Sequence, residues 1–329
     1  MPCRITARGA RLLGAGSALL GRAPGTWRPI AAVVVVLSAL GAVEPPSPFN
    51  VGVLRRDGVV VPFAAWNGKR WGAYWPRPGL ELTVPITLQS VPKAWWGPNR
   101  ALDTWQAWTA GEPRALRVTQ PDWVDVHCVR QIGLRTDYHA ERPAPPRTEQ
   151  PYPKDGLVVS PPQPVDRVEI VSPGAPDVRS FLTELREAFN RAERVVESNH
   201  GHPIARRARE GIEPTVEAVY AFGDASRVYY VEASRAYRPI GEVNCDSTAF
   251  GTGWFVRENG SVRPLAMAVD LLRCDKYGAS YMLPLGVMRL GMRVFWLVQF
   301  SGWNHERFAV VEIKSKTVEA VVNVWGGGC

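Results

Sequence analysis

The chain of 329 residues is long enough for one large domain or two ordinary ones, and its 46% hydrophobic and 21% charged content is that of a globular protein. The formal net charge is +8, but five arginines (Arg4, Arg8, Arg11, Arg22 and Arg28) precede Gly41 with no acid among them, and without them the balance is +3. So modest a charge excludes a broad phosphate-binding surface, and with it nucleic acid as the expected partner.

Behind those arginines runs "IAAVVVVLSALGAV", Ile30 to Val43. The run is too short for a hydrocarbon core of ~30 Å, which takes about 20 helical residues, and has the proportions of a signal-peptide core. Residues 1–42 are therefore expected to be a signal peptide cut after Gly41 or Ala42. The protein is then secreted or periplasmic, with no membrane span after cleavage; the alternative is a membrane anchor formed by the uncleaved segment. Beyond the leader stand Cys128, Cys245, Cys274 and Cys329. Four cysteines in an exported chain predict two disulfides, with three ways of pairing. Cys245 and Cys274 bracket a predicted hairpin and form the preferred pair, which leaves Cys128 for Cys329.

Residues 43–141 read as a β-rich region built on hairpin chemistry. "VLRRDGVVVPFA" from Val53, taken without its first valine, matches "VRENGSVRPLA" from Val256, and "GVMRLGMRVFWLVQFSGWNHERF" from Gly286 echoes the opening stretch more loosely. Asp57-Gly58 and Asn259-Gly260 supply the positive φ of tight turns. With Asn67-Gly68 as a two-residue loop, Trp66 pairs with Lys69 and Ala64 with Trp71. Pro62 and Pro264 lack an amide hydrogen, which places them at sheet edges or facing no neighbour.

Residues 142–176 hold ten prolines and read as an extended linker or a strap over a folded surface. A helix follows, capped by Asp177, with an apolar stripe from Val178 through Phe181, Leu185, Phe189 and Ala192 to Val196, and a stop at Asn199-His200-Gly201. From Thr215 onward the pattern alternates, with strands expected at 215–222, 227–233, 252–257, 262–272, 282–290, 293–301, 307–313 and 317–324. Their short connections make an antiparallel meander, so 177–329 is a helix followed by a β meander. The fold class is mostly β, with repeated hairpins near both ends. That suits a closed, propeller-like arrangement in which the N-terminal strand completes the C-terminal sheet; a β-sandwich plus a small β domain is the alternative.

Phosphate loops, GxGxxG, GxSxG and HExxH are absent from the sequence. His200 and His202, with Glu197 one turn upstream, have metal-ligand spacing, although a polar loop explains them as well; no cofactor is expected. His127 beside Cys128 suggests a Cys–His nucleophile less readily than a disulfide. Asp137 and His139 are ordinary loop-end residues. Asp246, Asp270, Asp275 and Glu306 fall near strand ends and are the candidates for paired-carboxylate chemistry. Thirteen tryptophans are many for this length. Those beside Gly, Asn and Pro form the candidate ligand surface: Trp95 and Trp96, and Trp303 with Asn304, His305 and Glu306. The expectation is an exported binding or interaction protein whose partner is an envelope glycan or protein. The alternative is an extracellular polymer hydrolase.

Overall fold

The computed structural model describes residues 47–79, 87–99, 102–109, 112–237, 247–273 and 276–329. The chain enters through β1 (Phe49–Arg55), β2 (Val59–Trp66) and the short β3 (Trp71–Gly72). It continues through β4 (Thr104–Thr109), β5 (Glu112–Val126), β6 (Val129–Thr136) and β7 (Lys154–Ser160). These strands pair in the order β1-β7-β4-β5-β6-β2-β3, and β1 also pairs with β2, so six of them close on themselves as a barrel. Then come β8 (Glu169–Val171), helices α1 (Pro176–Arg179), α2 (Leu182–His200) and α3 (Arg206–Arg209), and strands β9 (Thr215–Phe222), β10 (Arg227–Tyr237), β11 (Ser247–Glu258) and β12 (Ser261–Arg273). The sheet β12-β11-β10-β9-β8 has five strands. A last sheet is the meander β13 (Tyr281–Leu290), β14 (Arg293–Ser301), β15 (His305–Ile313) and β16 (Val318–Gly328). The protein is mostly β and every sheet is antiparallel.

Side-chain alternation stacks these sheets. Leu54, Val60, Trp105, Ala107, Leu116, Ile132, Leu134 and Val158 come from all six barrel strands and fill the barrel, joined by Trp75, Val91 and Trp96 of the β3–β4 connection. The opposite faces of β1, β2 and β7 meet Phe295, Leu297, Phe308 and Val310, one face of the four-stranded sheet. The other face of that sheet carries Trp296 and Val298 to Tyr230 and Trp254 of the five-stranded sheet. The far side of the five-stranded sheet is covered by Leu185 and Ala188 of α2, and by Val178 and Phe181 just before it, against Tyr229, Val231 and Phe255. Strands buried on both faces explain why "VVVPFAAW" reads as a continuous apolar run.

Closure is thus achieved by a barrel rather than by blades, and β1 pairs with β2 and β7, not with the C-terminal sheet. The two matching stretches are both hairpins, β1–β2 and β11–β12, in different sheets. Asn259 and Gly260 have φ of 52° and 80°, as a tight two-residue turn demands. Pro264 lies on the edge strand β12, and each proline stands across from a register shift.

Four local expectations are corrected. Trp66 pairs with Trp71, not Lys69, because Asn67 Oδ1 accepts from the amides of Lys69 (3.0 Å) and Arg70 (2.8 Å) and so draws four residues into the turn. Asp177 caps nothing; the N-cap of α1 is Ala175. Its carboxylate accepts from Tyr229 Oη (2.7 Å) and Arg257, which holds the acid below the usual carboxylate range against the opposing effect of burial. The helix breaks at Ser180–Phe181. The proline-rich stretch is no simple linker, since "KDGLVVS" within it is β7, paired on both sides.

Cys128, in the β5–β6 turn, and Cys329 lie at disulfide distance with Cα atoms 5.0 Å apart. Cys245 and Cys274 fall outside the described residues. A non-reducing protease digest is expected to yield one peptide linking Cys128 to Cys329; alkylation of both thiols without reductant contradicts the pairing.

Candidate binding cleft

Two β-bulges face each other where the barrel strand β7 meets β8 and β13, the edge strands of the other two sheets. Along β7 the partners of Leu54 and Arg55 are Gly156 and Lys154, so Asp155 is the extra residue. Along β13 the partners of Val298 and Leu297 are Pro284 and Gly286, which makes Leu285 the extra residue. Bulges re-aim side chains and recur beside functional sites. Glycine stands next to each, and at Gly156 the backbone leaves room for nothing larger. A Cβ on Gly156 meets the Trp108 carbonyl oxygen at 2.2 Å, and one on Gly286 meets Val165 Cγ1 at 2.5 Å. The segment containing Val165 is pinned there by mutual backbone bonds between Asp166 and Val287, 2.8 and 2.9 Å long.

Between the bulges lies a cleft of about 290 Å³ with Trp108, Val165, Val168, Tyr220, Leu283 and Leu285 in its wall. Its charges are mostly committed. Asp155 accepts from Arg56 Nε (3.0 Å) and Tyr138 Oη (3.0 Å), and burial together with that bond pushes the Tyr138 phenol up to about 12. Asp166 accepts from Arg289 Nε at 3.0 Å. Lys154 turns inward, donating to Glu306 Oε2 (2.8 Å) and the Tyr152 carbonyl (2.6 Å), while Gln299 Nε2 donates to the same carboxylate oxygen at 2.8 Å. Burial lowers the Lys154 ammonium pKa, and the Glu306 carboxylate pulls it back up. Only Arg167 among the charged lining residues has no partner among the described residues. The Trp108 indole Nε1 is buried and also lacks an acceptor. The site therefore offers an apolar, aromatic wall and the free guanidinium of Arg167, the usual composition of a small-ligand cleft.

The residues singled out from sequence are dispersed. Trp96 is 1% exposed and, with Trp95, packs against Trp75 (5.2 and 5.5 Å between ring centroids), so this pair plugs the barrel. Trp303 is 68% exposed and rests on Tyr277, 5.2 Å away. Its neighbours turn to architecture: the Asn304 carbonyl accepts from the Cys329 amide at 2.8 Å, and His305 Nδ1 lies 3.2 Å from Asn304 Oδ1. Glu306 is buried against Lys154. Asp270 is exposed on β12, while Asp246 and Asp275 fall outside the described residues. His200 is exposed at the end of α2, and His202 is enclosed with Nε2 3.3 Å from Glu193 Oε1 and Nδ1 accepting from the Ile204 amide. The described residues hold no cluster of three or more His, Cys, Asp or Glu fit for a metal. Asp137 accepts from the Arg117 amide, and His139 lines a separate polar hollow beyond Asp155. His127 has a buried Nε2 without a partner; burial lowers its pKa, Glu306 opposing.

Sequence reasoning missed two buried polar groups. Lys154 stood in the presumed linker. Glu232 was legible as a lone acid on the face Val228-Tyr230-Glu232-Ser234 of a strand, a period-two break in an apolar row. Comparison of the chain with protein-family models, curated proteins and solved structures returns no match.

Proposed function

We propose that this chain is an exported, non-enzymatic binding protein whose ligand, an envelope glycan, is held in the cleft between the β7 and β13 bulges. The observation that carries this reading is the cleft wall itself, in which Trp108 and Tyr220 stand with Val165, Val168, Leu283 and Leu285 beside the exposed Arg167, unpaired among the described residues. A sugar ring presents an apolar face for such a wall and hydroxyl oxygens for the guanidinium of Arg167. The cysteine pair at disulfide distance supports a non-cytoplasmic compartment, and no helix among the described residues is long and apolar enough to cross a membrane. The hydrolase reading draws no support from Glu306, which is tied to Lys154, or from Asp270, which no described carboxylate joins in a hydrogen-bonded set.

A thermal-shift screen with cell-wall glycans tests the proposal. One glycan is expected to stabilise the wild type. Leu283→Asp, at a half-exposed position on the cleft rim, is expected to weaken that binding at least tenfold, about 1.4 kcal/mol. Glycan binding that survives Leu283→Asp and Trp108→Phe unchanged overturns the assignment of the site.

A further inference from the structure

The cleft between the β7 and β13 bulges carries one charge that the described residues leave unbalanced. Each of the other charged groups in its lining has a counter-ion. Lys154 faces Glu306, Asp155 faces Arg56 and Asp166 faces Arg289. Arg289 is held a second time, its guanidinium 4.9 Å from the ring centre of Phe222. Glu169, the next acid along the chain, is taken by Arg227. Behind the wall Glu232 acts on the Tyr220 phenol, but burial raises its own carboxyl to about 7, so below that pH it adds little negative charge. Arg167, exposed and without a partner among the described residues, is what remains.

The backbone sets its place. Asp166, bonded mutually with Val287 at 2.8 and 2.9 Å, precedes it, and the buried Val168 follows it. A cation on a pinned segment loses less freedom than one on a loose loop when a ligand engages it. A sugar ring lying on Trp108, Tyr220 and Leu285 presents its substituents at the ring edge. A carboxylate at that edge accepts two parallel N–H bonds from a guanidinium and neutralises the spare charge, which a hydroxyl does not. A phosphate dianion is served less well, because one positive charge is spare and the Asp166 carboxylate stands beside it. On the glycan reading of the cleft, on which this rests, we infer that the ligand is an acidic glycan, a chain of uronic acid residues whose carboxylate pairs with Arg167 while the sugar face lies on the aromatic wall.

Matched probes isolate the carboxylate. Oligomers of galacturonic, mannuronic and glucuronic acid are each titrated into the full chain beside their carboxyl-reduced, neutral counterparts, by calorimetry at about pH 6 and low salt. At least one acidic oligomer is expected to bind about fivefold more tightly than its neutral counterpart, the upper end for an exposed ion pair. High salt is expected to shrink that preference. Arg167→Gln is expected to bring the two affinities together, and Leu283→Gln, an uncharged change in the wall, to weaken both alike. Equal affinities in the wild type, or a preference that survives Arg167→Gln, overturn the acidic assignment and leave the cleft a site for neutral glycans. Binding indifferent to Leu283→Gln places the oligomer elsewhere and overturns both readings. Silence with every oligomer at millimolar concentration likewise removes both.

Discussion

The unfolding free energy contributed by Glu232 is expected to fall by roughly 3 kcal/mol between pH 4.5 and about 7, and Glu232→Gln is expected to abolish that slope. Glu232 is 1% exposed, between the five- and four-stranded sheets, and accepts from the Met282 amide at 2.6 Å. Burial raises its carboxyl to about 7 from 4.5; the nearby Glu217 carboxylate adds to the rise, and the Met282 bond opposes it. Glu217 is itself held by Ser234 Oγ and Lys276 Nζ. The phenols of Tyr220, Tyr230 and Tyr281 share the field of Glu232, and Arg307 acts on Tyr230. Because the folded state keeps the proton at pH values where the unfolded chain has lost it, stability is full below 4.5. It declines as pH rises through the window and is flat above about 7. Glutamine keeps a carbonyl for the Met282 amide and never ionises, so the variant is expected to exceed the wild type above pH 7 and to match it near pH 4. Asp177 and Glu312, whose pKa values are lowered, impose the opposite slope in acid, so the test is the difference between two urea-unfolding pH series. Parallel series sink the prediction.

The meander was legible because its signals are local. The alternation and turn residues of 215–324 place β9 and β14 to the residue and the other strands within a few residues, apart from longer ends on β10, β11 and β16. Asn67 shows how one side chain defeats a turn rule, since its oxygen competes for the two amides that a two-residue hairpin leaves elsewhere. β7 was hidden because proline on either side marks a breaker in sequence, whereas barrel closure needs only the residues between.

The candidate site was mostly illegible for a different reason. Local spacing gave Trp95 and Trp96 the same neighbours as Trp303, namely glycine, asparagine or proline, yet the barrel claims one set and solvent the other. Burial of an acid is no clearer from sequence. Glu306 looked like an available carboxylate because its partner Lys154 stands 152 residues away. Glu193, on the core-facing side of α2, is likewise explained by Arg235 and Tyr237 of β10, with His202 beside them. Chemistry assembled across sheets leaves no spacing to read.

Glu306→Gln is expected to destabilise the protein by about 3–5 kcal/mol, the cost of stranding one member of a buried pair. Lys154 and Glu306 side chains are both 2% exposed, and their contact joins the closing strand of the barrel to the four-stranded sheet. The amide keeps a hydrogen-bond acceptor but removes the charge that offsets burial of the ammonium. Lys154→Met is expected to cost a similar amount, because Gln299 alone then serves the carboxylate. Combining the two changes removes both charges, so the double variant is expected to be far more stable than the sum of the single losses predicts, with coupling above about 2 kcal/mol. The pH dependence adds a signature. Burial already lowers the Lys154 pKa, and without Glu306 it falls further. The folded Glu306→Gln variant then binds fewer protons than its unfolded chain, so it regains stability as pH rises from the folded pKa toward 10.5. Additive single losses with no recovery at high pH exclude an ion pair. A hydrolase that used Glu306 as acid or base predicts the reverse pattern: Glu306→Gln spares stability and stops turnover. One unfolding series therefore decides whether this carboxylate belongs to the chemistry or to the joint between barrel and sheet.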